Sequence, residues 1–344
     1  MTNRLAMVLA LTAALGCGGK PDDGKARGSG AGSGSDVRVP GGSGSGSGSD
    51  TGGSAGPGQG SGMEGSAALQ LPSTPAGRAQ RFQDAWNLWA AGKFDKYGEY
   101  YAIDATSGAP GSPEVPAKGR APIVAEAVAA RKAIADQKGA IQLVLASEQV
   151  VIAITLVTGT FGAHATGAYV GVVTHYDDAD LIRSEDAYMD FDTITGQAQG
   201  AANVRPAVAE VTGRQVIVSK NDDLEKTNQE AIKKFFHAYG DHDPEVLGSL
   251  LADNLVWFDA TQPRDLDKAG ALASMKAGWA GPLGRLAPGT RVAAGDYVAV
   301  EETLDNAKPG AVSVPALAIY RLTNGQIAQA WVFYERSATA GAKK

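Results

Sequence analysis

The sequence predicts an α+β protein built as two similar halves behind a long tether. Three observations carry this. An apolar stripe recurs at a fixed offset, helices precede strands in both halves, and no aromatic residue occurs before Phe82. Phe82, Trp86 and Trp89 recur as Ile232, Phe236 and Tyr239, each time at i, i+4 and i+7. Tyr97, Tyr100, Tyr101 and Ala102 recur without a gap as Leu247, Leu250, Leu251 and Ala252. A register kept over that length marks a tandem duplication.

In the first half a helix is predicted over about Arg78–Ala91, ending at Gly92, and a short one over about Phe94–Tyr101. A third starts at Gly119-Arg-Ala-Pro122, with the proline in its first turn. Strands are predicted at Ile141–Leu145, Gln149–Thr158, Tyr169–Tyr176 and Leu181–Phe191, β-branched runs separated by turn residues. The second half repeats the order, with helices near Leu224–Tyr239, after the cap Asp243-Pro244, and near Leu266–Ala277. Its strands are Thr290–Ala294, Tyr297–Leu304, Val314–Leu322 and Ile327–Glu335. Asn324-Gly325 joins the last two as a hairpin. Helices followed by a run of strands give an α+β order rather than βαβ units.

The N-terminus predicts targeting. Arg4, the stretch LAMVLALTAALG and Cys17 read as a secretory signal, with an apolar run too short to span a bilayer. Cys17 is the one cysteine of the chain, so no intramolecular disulfide forms. Residues 18–65 hold 19 of the 45 glycines, in Gly/Ser runs that read as a flexible linker. The domains expected are therefore a signal peptide at 1–16, a disordered linker at 17–75, a first domain at 76–196, a connection at 197–221 and a second domain at 222–338. A net charge of −6 without a basic stripe argues against nucleic acid as a partner.

Two resemblances follow. Ala14-Leu15-Gly16-Cys17 resembles a bacterial lipobox, with Ala14 where Leu is preferred. It implies lipidation of Cys17, a membrane partner and a cell-envelope location; ordinary secretion is the alternative. LLADNLVWFDA (250–260), the GRAPI helix start and RLTNGQIAQAWVFYE resemble the nuclear transport factor 2-like superfamily, in its SnoaL-like or ketosteroid-isomerase-like branch. That resemblance implies two cone-shaped barrels, each of three helices on a curved antiparallel sheet around an apolar pocket. It also implies sheet-to-sheet pairing, here an intramolecular pseudodimer.

Ketosteroid-isomerase chemistry needs a carboxylate base and two oxyanion donors, one of them a neutral acid. Asp259 takes the base position of the second half, but Phe235 and Ala318 stand where the donors belong. In the first half Ala109, Ala85 and Val173 or Thr174 occupy the three positions. Asp259 is thus either a pocket base beside Trp257 and Trp331 or a turn carboxylate satisfied by backbone donors. The resemblance to SnoaL-like cyclases makes Asp186 the best acid of the first half, on a strand face shared with Ser184 and Tyr188. The favoured alternative is a surface or interface role, because its partner in the hairpin alignment is Trp331, which argues for a packing face in the second half. The segment from His175 to Asp180 reads as a solvated turn rather than a metal cluster. The expected pocket residues are Trp86, Asp186, Phe235, Trp257, Asp259 and Trp331, with no metal and no cofactor. The leading expectation is a non-enzymatic module holding an apolar small molecule or another envelope protein. The alternative is a SnoaL-like isomerase, cyclase or hydratase using Asp259 as base.

Overall fold

A computed structural model describes residues 72–112, 115–211, 213–279, 285–305 and 313–337. The signal peptide, Cys17 and nearly all of the Gly/Ser stretch lie outside the described residues. The first helix, α1 (Pro75–Ala90), starts where Thr74 accepts a hydrogen bond from the Gly77 amide at 3.1 Å, with proline in the first turn. Next come α2 (Phe94–Gly98), β1 (Tyr101–Gly108), β2 (Ala117–Lys118) and α3 (Arg120–Ala133). Strands β3 (Lys138–Ala146), β4 (Val150–Phe161), β5 (His164–Tyr176) and β6 (Ile182–Tyr188) follow. Then α4 (Phe191–Ala198) and β7 (Gln215–Val218) lead into the second unit.

That unit repeats the plan. Its helices α5 (Asp223–Gly240) and α6 (Pro244–Leu250) are capped by Asp222 and Asp243, whose carboxylates accept first-turn amides. Strand β8 (Leu251–Asp259), helix α7 (Lys268–Trp279), and strands β9 (Arg285–Ala294), β10 (Tyr297–Asp305), β11 (Val314–Thr323) and β12 (Gln326–Tyr334) complete it. Asn324 and Gly325 close the last hairpin with φ of 52° and 75°, the left-handed pair that a type I′ turn requires.

The two sheets match in order. The first runs β2-β1-β6-β5-β4-β3-β7, and the second β8-β12-β11-β10-β9, so β1-β6-β5-β4-β3 is repeated strand for strand. Neither is purely antiparallel as expected: β1 pairs parallel with β6, β8 with β12 and β7 with β3. The cause is topological. Each half sends a strand between its second and third helices, and it lies beside the last strand pointing the same way. The short helix expected to reach Tyr101 therefore stops at Gly98, and Tyr101 pairs with Ile182. Sheet pairing overrides the helical repeat of the tyrosines. The strand expected to run to Phe191 ends at Tyr188, because Asp190 caps α4 through the Thr193 amide.

Strand alternation builds three cores. Val144, Val151, Ala153, Val170 and Val172 face α1 and α3 of the first unit. Val298, Val300, Ala318, Tyr320, Ala330 and Val332 face the helices of the second. The opposite faces meet each other: Leu143, Leu145, Ile152, Ile154 and Val173 pack with Leu317, Ile319, Trp331 and Phe333. Both faces of the central strands are buried, so VVIAITLV reads as an apolar run broken only by Thr155. The contact is tight at Gly171, where a Cβ would lie 2.6 Å from Leu317 Cδ2. Polar links frame it: Tyr188 Oη donates to Glu301 at 2.9 Å, and Glu335 accepts from the Phe191 amide at 3.0 Å.

The turn expected to be solvated is only partly so. Asp180 is buried at its end, in an ion pair with Arg78 Nε at 2.8 Å that ties the β5–β6 turn to α1.

Candidate functional site

Each unit encloses a cavity between its helices and the inner face of its sheet. The C-terminal one has a volume of about 360 Å³. Its aromatic wall is a cluster of Phe235, Trp257 and Tyr320, with centroids 5.6–6.2 Å apart. Phe235 comes from α5, Trp257 from β8 and Tyr320 from β11, so three elements fix the wall. Leu286, Met275 and Val332 extend it. Such a wall with few polar groups is the usual make-up of a small-molecule site.

Two carboxyl groups open into this cavity. Asp259, 6% exposed, stands at the end of β8. Its Oδ1 accepts from the Thr261 amide at 2.8 Å and the Thr261 hydroxyl at 2.7 Å, and Tyr334 Oη lies 3.5 Å from Oδ2. Burial raises its pKa; the two Thr261 hydrogen bonds and the Arg205 charge oppose the rise. Arg205, in the connection, stacks 4.3 Å over Phe258 and donates to the Asp259 carbonyl at 3.2 Å. The carboxyl therefore combines both anticipated positions, turning the backbone at the strand end while facing the cavity.

Glu302 is the group that sequence reasoning missed. It lies on β10, is 5% exposed, and its Oε2 has no hydrogen-bond partner among the described residues. Burial alone pushes its carboxyl up to about 8, which leaves it neutral and able to donate at neutral pH. Its carboxyl in turn raises Tyr239, after desolvation, to about 12, and raises Tyr320 further. The sequence shows only the phase, not which face of the strand meets the helices. Glu302 falls in phase with Val298 and Val300, on the face that points at the helices.

The N-terminal cavity is smaller, about 160 Å³, and is lined by Phe82, Trp86, Trp89, Tyr97, Glu126 and Glu185 among others. Glu185 accepts a hydrogen bond from Tyr101, whose hydroxyl also bonds that of Tyr97. Burial raises it to about 7, Tyr101 opposing and Asp186 adding to the rise. Its side chain is half-buried because part of its surface is cavity wall.

Of the anticipated pocket residues, Phe235, Trp257 and Asp259 meet in the C-terminal cavity, and Trp86 lines the N-terminal one. Two do not line either cavity. Trp331 pairs with Phe258 and packs between the sheets, stacked on Tyr297 at 6.4 Å, while its neighbour Val332 faces the cavity. Asp186 shares the face of Tyr188, which reaches the other unit; Glu185 and Ala187 face the cavity instead. In both cases a period of two puts adjacent residues on opposite faces. The donor positions expected from the resemblance, Phe235 and Ala318, carry no polar side chain, and Glu302 with Tyr239 and Tyr320 supplies the polarity from other positions. Asp190, Asp192 and Glu335 bring carboxylates together at the junction of the units, where Asp190 caps α4 and pairs with Arg336.

Comparison with known proteins gives a class for the second unit. Residues 232–330 match the family model of the SnoaL-like domain. Solved structures similar to parts of the chain include a loop-truncated variant of IdmH from Streptomyces antibioticus, with 18% identity over 34% of this chain and 99% of that one at a TM-score of 0.31. A candidate SnoaL-like polyketide cyclase from Jannaschia sp. CCS1 is 19% identical over 36% of this chain and 96% of its own, at 0.32. A protein of ketosteroid isomerase-like fold from Catenulispora acidiphila is 19% identical over 33% and 92%, at 0.30. No curated protein matches the sequence.

Proposed function

We propose that this is a lipid-anchored envelope protein, held through Cys17, whose two duplicated units display ligand cavities. The C-terminal cavity binds an apolar small molecule that carries a hydrogen-bond acceptor such as a carbonyl. One observation carries the reading: Glu302, a buried carboxyl whose Oε2 has no hydrogen-bond partner among the described residues, in an aromatic cavity large enough for a bicyclic ligand. A neutral acid there donates to a carbonyl oxygen, and an unmet donor or acceptor costs about 1–3 kcal/mol. The domain match at 232–330 supports a ligand cavity in this unit. The anchor rests on the N-terminal sequence alone.

Acetylnaphthalene, naphthalene and naphthoate test it by calorimetry. The ketone should bind about tenfold more tightly than the hydrocarbon, and the carboxylate least. Glu302→Gln, which keeps a donor, should retain the preference, and Glu302→Leu should erase it. Equal binding of ketone and hydrocarbon would refute the reading. A second reading, an isomerase, cyclase or hydratase with Asp259 as base, is favoured by one fact: Asp259 opens into the same cavity with a raised pKa. Turnover of a ketone substrate that disappears in Asp259→Asn would support it.

A further inference from the structure

The N-terminal cavity differs from the C-terminal one in charge. Arg336 is among the residues lining the C-terminal cavity, whereas among the described residues no Lys, Arg or His lines the N-terminal one. Its polar wall is instead acidic, with Glu126 projecting from α3 and Glu185 from β6. Two arginines of the same unit are committed to carbonyls nearby. Arg120 Nε donates to the Tyr101 carbonyl at 2.9 Å. Arg131 Nη2 donates to the carbonyls of Trp89 and Ala90 at 3.1 and 2.9 Å, with its guanidinium 5.7 Å from the Phe94 ring centre.

The remaining wall is aromatic. Trp86 and Trp89 lie 4.8 Å apart, and Phe82 stacks on Trp86 at 6.2 Å with 20° between planes. Tyr97 meets Tyr101 edge-on at 5.0 Å with their hydroxyls bonded, and the Tyr101 hydroxyl is the hydrogen-bond donor beside the Glu185 carboxyl. Aromatic faces carry the negative end of the ring quadrupole, so the rings and the carboxyls give the cavity one sign of potential. A neutral hydrocarbon would leave the ionised form of Glu185 desolvated with no countercharge, and an anion would add to the repulsion. A primary ammonium would need acceptors for three N–H groups, whereas a methylated one presents apolar surface to apolar walls. The volume of about 160 Å³ is close to the roughly 150 Å³ void that accepts benzene in an engineered core, which limits the ligand to a handful of heavy atoms.

We propose that the N-terminal cavity binds a small methylated ammonium ion, with Glu185 as countercharge and Trp86, Trp89 and Tyr97 as the π faces around it. The site is independent of the C-terminal one, so the two proposals fail separately.

The test compares choline and tetramethylammonium with neohexyl alcohol, which matches choline in shape but has carbon in place of nitrogen. Titration of the full chain is followed by calorimetry and tryptophan fluorescence. Choline is expected to bind at least about tenfold more tightly than the alcohol. Glu185→Gln keeps the size and the acceptor for Tyr101, and should abolish that preference. Equal binding of the alcohol, absence of binding by both cations, or a preference that survives in a folded Glu185→Gln would each overturn the proposal. Should that variant fail to fold, the comparison of choline with its uncharged analogue on the wild type decides.

Discussion

Replacing Glu302 with Gln should flatten the pH dependence of stability, and the structure sets the size of the effect. In the unfolded chain the carboxyl titrates near 4.5, and in the folded protein burial moves it to about 8. The folded state thus binds the proton more tightly. Stability contributed by Glu302 is complete below about pH 4.5 and is lost as the pH rises toward 8. Each pKa unit corresponds to about 1.4 kcal/mol, so the wild type should lose on the order of 5 kcal/mol across that window. Above about pH 8 both states are ionised and the loss levels off. Glu185, raised to about 7, and Asp259, also raised, add slopes of the same sign. They are present in both proteins and cancel in the difference. Urea unfolding of wild type and Glu302→Gln at steps from about pH 4.5 to 9 gives the difference directly. It should widen in favour of the variant as pH rises, by several kcal/mol. Parallel profiles would show that Glu302 does not titrate in a desolvated site, and the donor role in ligand binding would fall with it.

Two further outcomes are expected. Gly171→Ala places a Cβ within 2.6 Å of Leu317 Cδ2 and 2.8 Å of Phe333 Cδ2, and should cost about 1–3 kcal/mol in thermal unfolding; wild-type stability would refute the packing of the two sheets. Cys17→Ser should move the protein from the membrane to the soluble fraction, and unchanged fractionation would refute the anchor.

The candidate sites were legible only in part, and the misses have one cause. A helix stripe and a strand-end carboxylate can be read locally, and the residues they point to, Phe235, Trp257 and Asp259, line one cavity. Trp331 and Asp186 were assigned to a cavity they do not line, and Glu185 and Glu302 were passed over. In each case one residue of register decides the face. Both faces of these strands are buried, so hydrophobicity does not say which face meets the helices and which meets the other sheet.

By itself the sequence determined the α+β class, the strands β3–β6 and β9–β12 after the helices, the Asn324-Gly325 hairpin and the helix start at Asp243. These follow from local physics: spacing of apolar residues, a capping carboxylate and left-handed turn residues. It did not show β1 and β8, which come between the second and third helices of each half. Only the tertiary structure decided that Tyr101 leaves its helix to pair beside Ile182 and that Asp180 is buried against Arg78. It also decided that Glu302 sits in an aromatic cavity with its Oε2 unpartnered among the described residues. The partners of those groups lie tens of residues away or more, and burial by distant segments sets the free energy of pairing and of ionisation that local sequence does not encode.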